Sequence, residues 1–155
     1  EADAAAHAQE HGIEVALPIL HRLAPNSKVT GIAMAHADYD QCQQIAAGLA
    51  EVLRRRPDVL LVISSDMNHF ANDAENRRLD ALAINALQSL DPRAVYDTCE
   101  EHKISMCGRV PAVIVLETLR ILNKLRAATK VGYATSGDVS GNLDRVVGYC
   151  GMLFR

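Results

Sequence analysis

Three short clusters in this 155-residue sequence carry side chains able to do chemistry. Ser65-Asp66-Met67-Asn68-His69 sets a carboxylate and an imidazole three residues apart. Asp66 can orient an imidazole, and His69 can take or give a proton near neutral pH. The plainer alternative is that Asp66 caps the following turn and His69 is an ordinary loop histidine. Met106-Cys107-Gly108-Arg109 puts a thiol where a helix is expected to begin. The positive end of a helix dipole faces a sulfur at that place, which suits a metal ligand or a nucleophile. Arg109 adds to that field or holds a carboxylate or phosphate. The alternative is a small apolar side chain wedged under the helix. Glu10-His11-Gly12-Ile13-Glu14 contains a His-x-x-Glu pair. If helical, His11 and Glu14 share a face and form a candidate metal or binding pair, although surface helices contain such pairs by chance.

The elements that must position these clusters follow from apolar spacing. Ile13, Leu17, Leu20 and Leu23 mark a helical face interrupted by Pro18, so that helix starts near Leu17 or is kinked. Residues 28–35 read as a short strand. Asp40 reads as the N-cap of a helix whose apolar stripe is Ile45, Leu49, Val52 and Leu53. That helix ends in Arg54-Arg55-Arg56, cations suited to a helix C-terminus, before Pro57. Residues 59–63 are continuously apolar, as in a central parallel strand covered on both faces. That run leads straight into Ser65-Asp66, and ligands of open α/β sheets bind beyond the carboxyl ends of strands. Leu79, Leu82, Leu87 and Leu90 mark another helix, and Asp91-Pro92 opens a further one through about His102. Residues 110–125 predict a buried helix with Pro111 in its first turn. Strands at 131–135 and 145–154, joined by the turn-forming residues 136–142, are expected to pair antiparallel. The fold class expected is α/β: a mixed β-sheet sandwiched by helices, in a single domain over residues 1–155.

Composition removes several functions. With 16 basic against 19 acidic residues and a net charge of −3, no basic face for nucleic acid is expected. Two Phe and no Trp leave little with which to stack bases. The four cysteines form no Cys-x-x-Cys pair, which predicts reduced thiols and a cytoplasmic setting. No stretch approaches the roughly 20 apolar residues of a membrane span, and no signal peptide is visible. Phosphate-loop, dinucleotide and His-Glu-x-x-His motifs are absent, and Gly137-Asp138-Val139-Ser140-Gly141 is not a nucleophile elbow. The first methionine is Met34. The opening Glu1-Ala2-Asp3-Ala4 therefore reads as a processed terminus or, preferably, the middle of a longer chain.

Taken in order, five motifs resemble the Memo family, also called AmmeMemoRadiSam system protein B. They are residues 10–18, residues 63–70, Cys107-Gly108-Arg109, residues 133–141 and Val146-Val147-Gly148-Tyr149. The resemblance spans nearly the whole sequence. It implies a LigB-like fold shared with class III extradiol dioxygenases, which hold iron(II) with two histidines and a carboxylate. In Memo-like proteins a cysteine stands in the carboxylate's place, which is Cys107 here. His69 matches the dioxygenase acid/base histidine, and Asp66 belongs to the same pocket. A thiolate ligand favours softer or borderline metals, so iron or copper is the implied cofactor.

The family also has an N-terminal half with two further histidines, in Pro-His-Ala-Gly-like and Ser-His-like motifs, and neither motif occurs in this sequence. The chain is therefore expected to be the C-terminal portion of a larger domain, with that half as its partner. Three functions stay open. The first is a metal-dependent redox or dioxygenase-like enzyme. The second is a binding or signalling module that takes an anionic peptide or small ligand through Arg109 and the helix terminus. The third is a vestigial half-domain.

Overall fold

The computed structural model describes residues 4–8 and 10–155. The first three residues of the polar start lie outside them. Two compact units divide the chain, Glu1–Ala35 and His36–Arg155.

In the first unit, α1 (Ala4–His7) and a 3-10 turn (Glu14–Ala16) precede α2 (Leu17–Leu23). Pro18 explains the start at Leu17. It sits in the first turn of α2, where its missing N–H has no helical partner to lose. Residues 28–35, expected as a strand, form no ladder in the described structure, and Val29 and Ile32 are exposed. An apolar run secures an extended backbone only when a second strand is there to pair with it.

The second unit carries the remaining elements. The cap of α3 (Tyr39–Arg55) is Asp38, two residues before the expected Asp40. Asp38 accepts from the Gln41 backbone while the Gln41 side chain returns to the Asp38 N–H, a reciprocal box. The earlier start also brings Tyr39 edge-on to Tyr96, 5.7 Å between ring centres. The buried stripe of α3 is Cys42, Ala46, Ala50 and Leu53, while Ile45 and Val52 are exposed. The expected stripe of large aliphatics is thus displaced around the helix. The small side chains face α6 and let the two helices approach closely, so Thr118 of α6 reaches the Ala46 carbonyl.

α4 (Asp73–Gln88) is capped by Asn72, α5 (Pro92–Glu101) by Asp91, and α6 (Arg109–Ile121) carries Pro111 in its first turn. Asn123, at φ 55°, takes the left-handed conformation that ends α6. β1 (Ala128–Thr135) and β2 (Gly148–Phe154) pair antiparallel as expected, from Ala128 against Phe154 to Thr135 against Gly148. α7 (Gly137–Ser140) joins them, closed by Gly141 at φ 73°.

The structure is therefore α/β, but among the described residues its sheet has two antiparallel strands and is not mixed. Residues 59–63 are the main correction. They belong to no ladder, and Val59, Leu60 and Val62 are exposed. Continuous apolar character reports a demand for cover, which is not the same as a strand's hydrogen-bonded neighbours. The next stretch does find a partner. Met67 and Phe70 donate to Gly148 and Val146, and Gly148 and Val146 donate back to Asn68 and Ala71. Residues 67–71 thus lie along the chain leading into β2. Among the described residues no helix is long and apolar enough to cross a membrane.

The tight α3–α6 contact yields a stability prediction. Ala46→Leu adds bulk where Ala46 has no exposed surface and should cost about 1–3 kcal/mol. Urea unfolding should show a lower midpoint with an unchanged slope. Wild-type stability in the variant would mean that the two helices are not in close contact there.

Candidate functional site

Asp66 and His69 sit on the segment pinned beside Val146–Gly148, and Cys107 sits in the turn entering α6. In the first segment Met67 and Asn68 point inward and are buried, which leaves Asp66 and His69 partly open to solvent. In the second, Ile104 and Met106 are buried, and Cys107 between its neighbours is exposed. Phe70, at φ 68°, marks the turn away from the β2 approach. This is an uncommon conformation for a bulky residue, held by a 2.7 Å bond from its N–H to Val146.

The two segments meet through Ser65 and Gly108. The Gly108 N–H donates to Ser65 Oγ at 2.8 Å, and Ser65 Oγ lies 3.7 Å from Cys107 Sγ. The Asp66 N–H donates to Cys107 Sγ at 3.2 Å. A Cβ on residue 108 would fall 2.4 Å from Ser65 Cβ, closer than any side chain permits, so glycine is required there by contact. His69 is gripped at both ends. Its N–H donates to Ser105 Oγ at 2.8 Å, and its Nδ1 lies 2.6 Å from the Ser105 carbonyl oxygen. A carbonyl oxygen can only accept, so Nδ1 carries the hydrogen and Nε2 is left facing Asp66 Oδ2, 3.4 Å away. The ligand atoms of Asp66, His69 and Cys107 all lie within 4.8 Å of one another.

A buried polar layer lies behind this trio. Asp80 and Asn76 of α4 have no exposed surface, and Asn68 is 3% exposed. Asp80 accepts from the Asn68 N–H at 2.7 Å, Asn76 Nδ2 at 3.0 Å and the Tyr133 hydroxyl at 2.6 Å. Burial raises the Asp80 carboxyl above its ordinary range, against the lowering effect of these donors. Burial, then the bond to Asp80, pushes the Tyr133 phenol up as well. Gly148 passes so close that a Cβ there would lie 1.8 Å from Asp80 Oδ2.

The residues expected from sequence divide into two groups. Asp66, His69 and Cys107 come together. Arg109 stands at the start of α6, but its guanidinium is ion-paired with Glu100 and lies over the Tyr96 ring at 5.0 Å. His11 and Glu14, in the first unit, pair with each other at 3.2 Å on exposed side chains, across a turn that precedes the 3-10 helix. Sequence reasoning missed Ser65, Asn68, Ser105, Asn76, Asp80 and Tyr133. Asn76 and Asp80 carried a signal: two polar residues at i and i+4 on the face that also bears Leu79, Ala83, Ile84 and Leu87. All four cysteines are free thiols.

Comparison with known proteins gives a coherent result. A family model described as Memo-like protein matches residues 1–153. A MEMO1 family protein of Aquifex aeolicus is 37% identical, over 98% of this chain and 57% of its own length. One of Archaeoglobus fulgidus is 34% identical over 99% and 58%, and one of Aeropyrum pernix is 36% identical over 92% and 51%. The chain thus spans about half the length of the curated relatives it matches.

Two measurements test this geometry. Gly108→Ala drives a methyl into Ser65 and should destabilise by about 1–3 kcal/mol. In a Ser65→Gly background Gly108→Ala should cost less by thermal unfolding, the remaining loss coming from the Ser64 carbonyl oxygen 2.9 Å from the added carbon, and equal losses in both backgrounds would refute the side-chain contact. The second concerns pH. With its folded value raised above the ordinary 3.8, Asp80 binds its proton more tightly folded than unfolded. Its contribution is complete below that ordinary value and is lost as pH rises through the raised one. Wild type should therefore lose stability relative to Asp80→Asn across that window in urea titrations at stepped pH. A difference that stays flat or reverses sign would contradict the assignment.

Proposed function

The chain belongs to the Memo-like protein family, and from that premise and the pocket's chemistry we propose a non-haem metal pocket, for iron or copper, of redox or dioxygenase-like character. The observation that carries this reading is the convergence of a thiol, an imidazole nitrogen and a carboxylate oxygen within 4.8 Å of one another.

The donor set fits a metal on chemical grounds. With the His69 Nδ1 hydrogen committed to Ser105, the Nε2 lone pair and the Asp66 oxygen are both acceptors, 3.4 Å apart. Two acceptors facing each other are stabilised by a cation between or beside them, either a proton or a metal ion. Cys107 adds a sulfur ligand, which suits iron or copper better than magnesium or calcium.

In this reading Cys107 holds the ion, and Asp66 and His69 flank it. His69 Nε2 accepts a proton from a bound small molecule or returns one, and Asp66 steadies the ring when it is charged. The metal, when bound, supplies Lewis-acid polarisation and electron transfer. Further ligands come from a segment equivalent to the part of the relatives that this chain does not match, two histidines in the resemblance above. A LigB-like fold completed by that segment, and a cytoplasmic setting that keeps Cys107 reduced, belong to the same proposal. So does the chemistry of the partner molecule. Asp66 at the mouth disfavours an anion, and Arg109 is occupied by Glu100, so a neutral small molecule is preferred to an anionic peptide.

Anaerobic titration with iron(II) and with copper(I) tests the reading. Wild type should take up one ion per chain, and Cys107→Ser should weaken binding by at least about tenfold. Equal uptake by wild type and Cys107→Ser would dismiss the role of Cys107, and no uptake by either with the segment that supplies the further ligands present would dismiss the metal pocket.

A further inference from the structure

The buried polar layer is directional, and its direction ends at the His69 ring. Asp80 can only accept as a carboxylate, and three donors meet it: the Asn68 N–H, Asn76 Nδ2 and the Tyr133 hydroxyl. Because Asn76 must turn its Nδ2 toward Asp80, its Oδ1 faces the other way and accepts from Asn68 Nδ2 at 2.8 Å. Asn68 is then fixed in turn. Its Oδ1 is left to accept, and it receives the Ser105 N–H at 3.0 Å and the Ser105 hydroxyl at 3.1 Å. A flipped amide at either asparagine would face donor against donor or acceptor against acceptor. Ser105, held at its N–H and Oγ, presents its carbonyl to His69 Nδ1 at 2.6 Å and its Oγ to the His69 N–H at 2.8 Å.

We propose that Asn68 is the positioning residue of the pocket: it relays the orientation imposed by Asp80 to Ser105, and so keeps the hydrogen of the His69 ring on Nδ1 and directs Nε2 at Asp66 and Cys107. The proposal rests on the reading of His69 as the working imidazole of this site. It gives chemical content to the Asn-His pair in the sequence. Asn68 touches neither Cys107 nor any position a small molecule could reach, being 3% exposed. It acts through Ser105. A neutral imidazole free in water favours the Nε2–H form, so the Nδ1–H form needs a standing acceptor, and the Ser105 carbonyl is one only while Asn68 holds that residue in place. Partners of this kind fix the tautomer of metal-site histidines generally, and their loss costs about 10–100-fold in metal affinity.

The test reads the ring and not turnover. Long-range proton–nitrogen correlation spectra of nitrogen-15-labelled, metal-free protein, at a pH where imidazoles are neutral, report which His69 nitrogen is protonated. Wild type should show the Nδ1–H pattern. Asn68→Ala should shift His69 toward the Nε2–H pattern while leaving the other five histidines unchanged. Ser105→Ala, which deletes the hydroxyl and keeps the carbonyl, should shift it partway and guards against an unfolded Asn68 variant. An Nε2–H pattern in wild type overturns the proposal, as does the wild-type pattern in every variant that folds. Copper(I) titration of the same samples separates the two readings. No uptake by wild type with the tautomer as expected defeats the metal assignment alone. Wild-type uptake with an unmoved tautomer in Asn68→Ala defeats the role of Asn68 alone.

Discussion

A carboxylate with no exposed surface organises this pocket. Asp80 is stabilised inside the protein only because three donors from three different parts of the chain converge on it: the backbone of Asn68, the side chain of its α4 neighbour Asn76, and the Tyr133 hydroxyl of β1. Burying such a group without partners is costly, so the segments that supply the donors are held together by the cost of separating them. Gly148, at the head of β2, passes over Asp80 Oδ2 with room for no side chain. Helix α4, both strands and the Asp66–His69 segment are thereby referred to one point. The backbone bonds between 67–71 and 146–148 extend the same attachment outward.

Seen from that point, the short motifs have separate physical reasons. Ser65 and Gly108 are a matched pair: one supplies a hydroxyl that occupies the space a side chain at the other would need. Their contact fixes the distance between the Asp66 segment and the start of α6, and therefore the distance between Cys107 and its neighbours. Gly148 and Asp80 are a second matched pair. Ser105 grips His69 through one backbone carbonyl and one hydroxyl. A pocket built this way keeps its reactive atoms at the surface while the groups that aim them are bonded to one another underneath.

The sequence made some of this legible. Asp66-x-x-His69 is marked by the apolar run before it, and Cys107 by the strongly apolar helix after it. That the two meet is not readable from either, since Asp66 and Cys107 are 41 positions apart and only the tertiary fold joins them. Ser105 carries no sequence mark for a different reason: the group it contributes most directly to His69 is a main-chain carbonyl, which every residue has. On α3 bulk is not the sign of burial. Cys42, Ala46 and Ala50 are buried by virtue of being small, on the side where α6 comes close. Residues 59–63 show that hydrophobicity specifies which surfaces need cover and leaves open what covers them, whereas for β1 and β2 the turn-forming residues between them specify a local antiparallel partner.

The charge of the pocket follows from the same construction and narrows what it can hold. The three side chains that converge there offer lone pairs: a carboxylate from Asp66, a ring nitrogen from His69, a sulfur from Cys107. The nearest sequence candidate for positive charge, Arg109, leaves that space and pairs with Glu100 beside Tyr96. Donation runs toward the sulfur from the Asp66 N–H, and the hydrogen of His69 is drawn to the side away from Asp66. An anion entering here would meet acceptors. A cation would meet ligands already aimed at it, with the orienting hydrogen bonds made beforehand within the protein. That asymmetry, more than the presence of any single residue, favours the proposed metal pocket over an anion-binding one on this scaffold.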